Sequence, residues 1–286
     1  MNGGMRIDLH THSLVSDGTD TPAQLVRHAA DAGLDVIGLT DHDTFDGLPE
    51  ARTAARETGI ELLAGMEFST ESGGASVHLL AYGCDPDDAD LLAELARVRV
   101  GRSDRVPTLV AKLTELGMPI TVDDVLQQAG GTSVGRPHIA DALVAKGHVA
   151  HRDEAFRHWL YDGGPAWVDR YSTPLTAAIA LVRRARGVAV LAHPWARGRR
   201  ADLPEAYLAE LVAEHGLEGI EVDHPDHDDD TRAELRAVAD RLGVLVTGSS
   251  DHHGLGKRNN PLGAALTHPD VYAELVRRIR ERGGHP

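Results

Sequence analysis

The feature that most constrains this chain is a repeated alternation of near-continuous apolar runs with amphipathic helical segments. MRIDLH at 5–10 reads as a short strand, and TPAQLVRHAADAGL follows as a helix with Pro22 in its first turn and Gly33 as its stop. DVIGLTDHD is a second strand, and the rhythm continues with a helix at 47–58 ended by Gly59 and strands at 60–68 and 76–83. It resumes with helices at 174–185, 204–215 and 230–242, strands at 187–194, 217–225 and 243–253, and a last surface helix from Val271. Runs this apolar suit strands buried on both faces, and strand–helix repetition predicts a parallel sheet. This many units favours a closed barrel, an α/β fold for which 286 residues at 42% hydrophobic supply enough core.

The interval from 97 to 165 breaks the pattern. VPTLVAKLTELG, VDDVLQQAG, GRPHIADALVAKG and RDEAFRHWLYDGG carry helical periodicity and no convincing strand. The expected organisation is therefore a barrel domain from 5–96 and 166–286 interrupted by a helical cap subdomain at 97–165.

Composition removes several classes of function. Lys plus Arg is 29 against 44 Asp plus Glu, a net charge of −15, which argues against binding long nucleic acid through a basic surface. No run approaches a membrane span, the N-terminus enters a strand without a signal-like segment, and Cys84 is the single cysteine, so no membrane partner and a cytoplasmic location are expected. Monomer and small homo-oligomer remain equally open.

The 17 histidines are unusual, and their placement matters more than their number. Alternate residues of an extended segment share a face, so His10 and His12 in LHTH point together, as do Asp251 and His253 in SSDHH. His42, Glu67, His78 and His193 fall in or just after other predicted strands, and Asp17 lies in the loop after the first pair. Strand ends converge on one rim of a barrel, where catalytic groups sit, so these nine residues form a candidate metal-ligand set. His28, His148, His151, His158, His215, His252, His268 and His285 lie on helices, in loops of the cap, at the chain end or on the opposite face of a strand end, and are given no role. The acidic run at 226–230 precedes a helix and suits capping better than metal binding.

In RIDLHTHSLVSDGTDTPAQLVRHA, VIGLTDHDT, GMEFS, VHLLAYG, VLAHP, IEV and GSSDHHG, taken in that order, the sequence resembles the PHP family, named for its polymerase and histidinol phosphatase members. The resemblance runs from about residue 5 to 265, and the helical insertion is similar to the branch acting on nucleoside bisphosphates and short oligoribonucleotides. It implies a distorted seven-stranded (β/α) barrel holding two to three divalent metal ions, with zinc, manganese and iron all compatible with mixed nitrogen and oxygen ligands. By motif, His10, His12, Glu67 and Asp251 hold the first ion, Glu67, His78 and His193 the second, and Asp17, His42 and His253 the third. Glu67 then bridges two ions, and a metal-bound hydroxide held by Glu67, His193 and Asp251 is the expected nucleophile.

Three carboxylates and three divalent ions sum formally to about +3, a local trap for a phosphate dianion inside an acidic protein. The resemblance also implies that Ser133, Arg136 and His138 of TSVGRPHIA, in the cap, meet substrate, with the guanidinium fork of Arg136 suited to a phosphate, and His224 in EVDHPDH is placed to reach a leaving oxygen or a second phosphate. The reaction that the resemblance implies is removal of phosphate from a small AMP-like nucleotide bearing 3′ and 5′ phosphates, extending to short RNA. Its rivals are a histidinol-phosphate-type phosphatase, a metal-dependent amide or lactone hydrolase, and a binding module of the kind attached to polymerases.

Overall fold

A computed structural model describes residues 4–130, 134–257 and 259–286. Strands β1 (Ile7–Thr11), β2 (Val36–Leu39) and β3 (Glu61–Ser72) are parallel and linked by α1 (Pro22–Asp31) and α2 (Leu48–Thr58). Thr21 starts α1 by accepting the Gln24 N–H at 3.2 Å while its own N–H donates to the Gln24 side chain at 2.9 Å, and Gly59 ends α2 in the left-handed region.

The chain then departs from the expected all-parallel sheet. β4 (Ala75–Tyr82) pairs antiparallel with β3 and with β6 (Val188–Leu191). The physical reason is local: only the turn at Gly73 and Gly74, with φ of 58° and 84°, separates β3 from β4, and no helix is available to carry the chain back. The reversal matters for function, because it brings the start of β4, with His78 opposite Ser69, to the same rim as the far half of β3.

After β4 come α3 (Ala89–Asp104), α4 (Val106–Glu115), α5 (Val122–Leu126), α6 (Arg136–Ala145) and the single turn α7 (Arg152–Ala155). Leu91, Leu95 and Val98 of α3 pack in the main core beside the barrel, whereas a separate apolar cluster starts at Val106 and includes Leu109, Leu113, Ile139, Leu143 and Leu160. The two-residue β5 (Thr173–Pro174) joins β3, and α8 (Leu175–Arg184) leads into β6. β6, β7 (Gly219–Asp223) and β8 (Leu245–Gly248) are parallel, linked through α9 (Glu205–Glu210) and α10 (Asp229–Leu242), and α11 (Pro269–Glu281) ends the fold.

Seven strands in the order β1-β2-β3-β4-β6-β7-β8 form a nearly closed barrel, and the β1–β8 gap is stitched by the His12 N–H to the His252 carbonyl at 2.8 Å. Asp8 adds two clasps, accepting N–H groups of Ser250 at 2.9 Å and Gly263 at 2.8 Å. Ile7, Leu9, Leu63, Leu80, Tyr82, Val188 and Val190 make one buried cluster, while the alternate residues Ile37, Met66, Phe68, Leu79, Ala189 and Ile220 face the helices.

Two register irregularities aim the site. β1 carries an extra residue between Asp8 and Thr11, so the inward set passes from Ile7 and Leu9 to His10 and His12. Gly38 is what this bulge requires, since a Cβ there would lie 2.2 Å from the Leu9 carbonyl oxygen. β7 has a matching shift between Glu221 and Asp223, which turns both Glu221 and His224 toward the cluster. Among the described residues no helix is long and apolar enough to cross a membrane.

Candidate metal centre

Glu67 is the hub. It is 1% exposed on β3, and its carboxylate oxygens face different histidines. Oε2 lies 3.3 Å from His10 Nε2, 3.2 Å from His12 Nε2 and 3.2 Å from His42 Nδ1, whereas Oε1 lies 2.7 Å from His78 Nδ1 and 3.2 Å from His193 Nε2. A carboxylate that splits its two oxygens between two donor sets suits a bridge between two cations.

Donor spacing tests whether ions fit. Four ligands at metal distances near 2.1 Å stand about 3.4 Å apart on a tetrahedron. His10 Nε2 and His12 Nε2 are 3.0 Å apart, each is 3.2–3.3 Å from Glu67 Oε2, and Asp251 Oδ1 is 3.5 and 3.4 Å from the two rings. A third group gathers at Asp17, whose oxygens lie 3.3 Å from His253 Nε2, 3.6 Å from His42 Nε2 and 3.6 Å from His12 Nδ1. The buried Nδ1 atoms of His42 and His78 face Glu67 without hydrogen-bond geometry to any described residue, and for His78 this suits a nitrogen that shares a cation with the carboxylate. The donor set therefore fits divalent metal ions.

Protonation follows from the same packing. Burial works against charge on Glu67, Asp17 and Asp251, yet the surrounding histidines, and for Asp251 first the Lys257 ammonium against its carboxylate, hold all three well below the usual carboxylate range. Burial drives His42 well below its ordinary value and brings His193 and His253 down to about 4, leaving three neutral rings with lone pairs for a cation. His10 and His12 behave oppositely: burial is outweighed by Glu221, Glu67 and Asp251 for His10, and by Asp251 and Glu67 for His12, which rises to about 9.

Strained backbone collects at the rim. His193 and Asp251 adopt φ of 28° and 52°, a region disfavoured for side-chain-bearing residues and found where function over-determines geometry. The loop carrying Asp17 is fixed by Asp41, whose carboxylate accepts from the Ser13 N–H at 2.8 Å and the Ser13 and Ser16 hydroxyls at 2.6 Å each.

The structure thus brings the nine candidate ligands together: His10, His12, His42, His78 and His193 lie against Glu67, and Asp17, Asp251 and His253 lie against His12. Of the expected substrate contacts, Ser133 lies outside the described residues. His138 is buried, with Nδ1 accepting the Gly135 N–H at 3.0 Å and the ring bonding the Ser16 backbone, so it ties the start of α6 to the Asp17 loop. Arg136 donates to Asp162 at 2.6 Å and to the Leu160 carbonyl at 2.8 Å, and its flank lines a cleft shared with His78, His193 and Arg199. His224 is fully buried, its Nε2 3.3 Å from Asp251 Oδ2 and its Nδ1 accepting the Asp226 N–H. Asp228 caps α10 through the Thr231 N–H at 2.8 Å, the capping use expected of that acidic run.

Sequence reasoning missed Glu221. It is fully buried, accepts from His10 Nδ1 at 3.0 Å, from the His193 N–H at 2.9 Å and from the Ser249 hydroxyl, and so fixes His10 with Nε2 toward Glu67. Its signal was an acid between the apolar residues Ile220 and Val222 of LEGIEV. Asp8 in RIDLH and Asp41 in LTDHD were missed as well.

Comparison with known proteins agrees with this geometry. The PHP domain family matches residues 8–97. The chain is 33% identical to the 3′,5′-nucleoside bisphosphate phosphatase of Chromobacterium violaceum over 96% of its own length and 97% of the relative's. It is 32% identical to a 5′-3′ exoribonuclease of Haemophilus influenzae, covering 87% of this chain and 90% of that one. A crystal structure of a metal-dependent phosphoesterase from Bifidobacterium adolescentis superposes with a TM-score of 0.91 at 38% identity, over 96% and 97% of the two chains. With the fold, the ligand cluster and these relatives in agreement, the chain belongs to the PHP family of metal-dependent phosphoesterases.

Proposed function

We propose that this enzyme hydrolyses a phosphate monoester of a small nucleotide carrying 3′ and 5′ phosphates, with short oligoribonucleotides trimmed from the 5′ end as a related substrate. The observation that carries the reading is the division of Glu67 between two histidine sets, a geometry suited to a phosphate held over more than one cation. The similarity to the nucleoside bisphosphate phosphatase and the exoribonuclease, each over most of its length, supports a nucleotide over histidinol phosphate.

Two to three divalent ions of zinc, manganese or iron are assigned to the cluster: His10, His12, Glu67 and Asp251 hold one, Glu67, His78 and His193 a second, and Asp17, His42 and His253 a third. Bound there, they supply a water nucleophile at neutral pH and neutralise charge on the transferring phosphoryl group. Glu221 keeps the His10 tautomer that presents Nε2, and Asp41 keeps Asp17 at the rim. His224, beside Asp251, is the side chain assigned to hold a proton near the leaving oxygen, and Arg136 to face a phosphate from the cap.

Phosphate release from adenosine 3′,5′-bisphosphate, AMP and histidinol phosphate by manganese-loaded protein tests this. A preference for the bisphosphate of about tenfold or more in kcat/KM is expected on the usual scale of specificity from one extra charged contact. Preference for histidinol phosphate overturns the substrate and leaves the cluster standing.

A further inference from the structure

The two loops that carry Asp17 and His253 meet at one side chain of the helical segment. Arg152, the first residue of α7, is 10% exposed and forks onto Asp141 of α6, its Nε 2.9 Å from Oδ1 and its Nη2 2.5 Å from Oδ2. Its other terminal nitrogen, Nη1, donates to the backbone carbonyl of Asp17 at 3.0 Å. The same guanidinium lies against Gly256, where a Cβ would stand 2.3 Å from Nη1 and 2.8 Å from the guanidinium carbon. Gly256 ends the helical turn Gly254–Gly256 that follows His253, and its N–H returns to the His253 carbonyl at 3.1 Å.

Neighbouring contacts hold the same two loops. His138 precedes Asp141 by three residues on α6, so the two share a face, and the His138 ring bonds the Ser16 backbone. From the end of β2, Asp41 accepts from the Ser13 and Ser16 hydroxyls at 2.6 Å each. The Asp17 loop is therefore gripped by the barrel through Asp41 and by α6 and α7 through His138 and Arg152. Thr19 ties this loop to the next, its hydroxyl accepting the Leu255 N–H at 2.9 Å. Within this frame Asp17 Oδ1 stands 3.3 Å from His253 Nε2. Asp141 cancels the charge of Arg152 through two parallel bonds, so the pair acts as a rigid strut and not as a free cation.

We propose that Arg152, held by Asp141, is a positioning residue for the ion assigned to Asp17, His42 and His253: by engaging both loops at once it sets how Asp17 and His253 face each other. The inference rests on that assignment and goes beyond it by making the third ion depend on a residue that lies outside the barrel strands and touches no ion. His10, Glu67 and His78 of the other two sites sit on β1, β3 and β4, whose ladders hold them without help from α7. Losing Arg152 should therefore act on one ion and spare two. Arginine suits the task, because one planar group reaches both oxygens of Asp141 and the Asp17 carbonyl together, whereas a lysine ammonium is a single point on a flexible stem.

The test reads metal binding without turnover. Chelator-treated protein is titrated with manganese, free ion being followed by electron paramagnetic resonance, for wild type, Arg152→Ala, Arg152→Lys and Gly256→Ala, each checked for folding by its melting transition. Wild type is expected to take up three ions. Arg152→Ala should weaken one of them by about ten- to hundredfold, the scale for losing a group that orients a ligand, and leave the other two within about twofold. Arg152→Lys restores part of the loss. Gly256→Ala, which displaces the guanidinium from the His253 side, repeats the selective loss should Arg152→Ala fail to fold. Asp141→Asn added to Arg152→Ala weakens that ion no further, since Asp141 acts through the arginine. Equal weakening of all ions, or three unaltered affinities in both Arg152→Ala and Gly256→Ala, overturns the positioning role. Asp17→Asn is the reference and should lose the same ion. An ion count that Asp17→Asn leaves unchanged overturns the third-ion assignment itself, whereas loss in Asp17→Asn with none in Arg152→Ala or Gly256→Ala overturns only the role of Arg152.

Discussion

Replacing Glu221 with alanine removes a carboxylate that touches no expected substrate, yet the effect on metal binding should be large. Its two oxygens accept from His10 Nδ1, the Ser249 hydroxyl and the His193 N–H, and His10 and His193 belong to different proposed ion sites that meet at Glu67. Losing a partner that orients a ligand histidine costs about 10- to 100-fold in metal affinity, equivalent to about 1.4 to 2.8 kcal/mol. The His193 N–H, left without its acceptor at a backbone with φ of 28°, adds about 1–3 kcal/mol of lost fold stability. Glu221→Gln keeps one acceptor oxygen and should fall between wild type and alanine on both scales. Zinc titration in competition with a chromophoric chelator reads the affinity, and thermal unfolding of the same samples reads the stability. If Glu221→Ala binds zinc within about twofold of wild type, the carboxylate does not position His10 and the reasoning fails.

Other expectations are narrower. His12, raised to about 9 because its carboxylate partners outweigh burial, carries a proton at pH 7–8 that a cation must displace. Metal binding should therefore release protons in that range and strengthen as pH rises toward about 9, seen as a buffer-dependent calorimetric enthalpy; a buffer-independent enthalpy contradicts it. Cys84, buried and pushed up to about 12 mainly by desolvation, should resist a thiol reagent in the native protein and react at once after unfolding. Gly38→Ala should prevent normal folding or cost several kcal/mol in a denaturant melt, because its Cβ would meet the Leu9 backbone.

How legible the site was depended on whether its chemistry stood at a regular position. His10 and His12 share a face in any extended segment, and His42 and His193 follow apolar runs, so periodicity located them. Glu221, Asp8 and Asp41 are single acids that gain meaning only when β1, β7, β8 and the rim loops come together. The antiparallel β4 had a sequence signal, two glycines between strands with no room for a helix, but the surrounding strand–helix rhythm outweighed it. For His138 the residue was noticed and its surroundings were not, since its bond to the Ser16 backbone depends on how α6 meets the Asp17 loop.

The most direct measurement of the central claim is anomalous diffraction from crystals of the protein grown with manganese. The account predicts peaks on either side of the Glu67 carboxylate, one within bonding distance, about 2.0–2.2 Å, of His10, His12 and Asp251, another beside His78 and His193, and loss of both in Glu67→Ala. Manganese bound elsewhere, or peaks at the rim that survive removal of Glu67, would contradict a site organised around that residue.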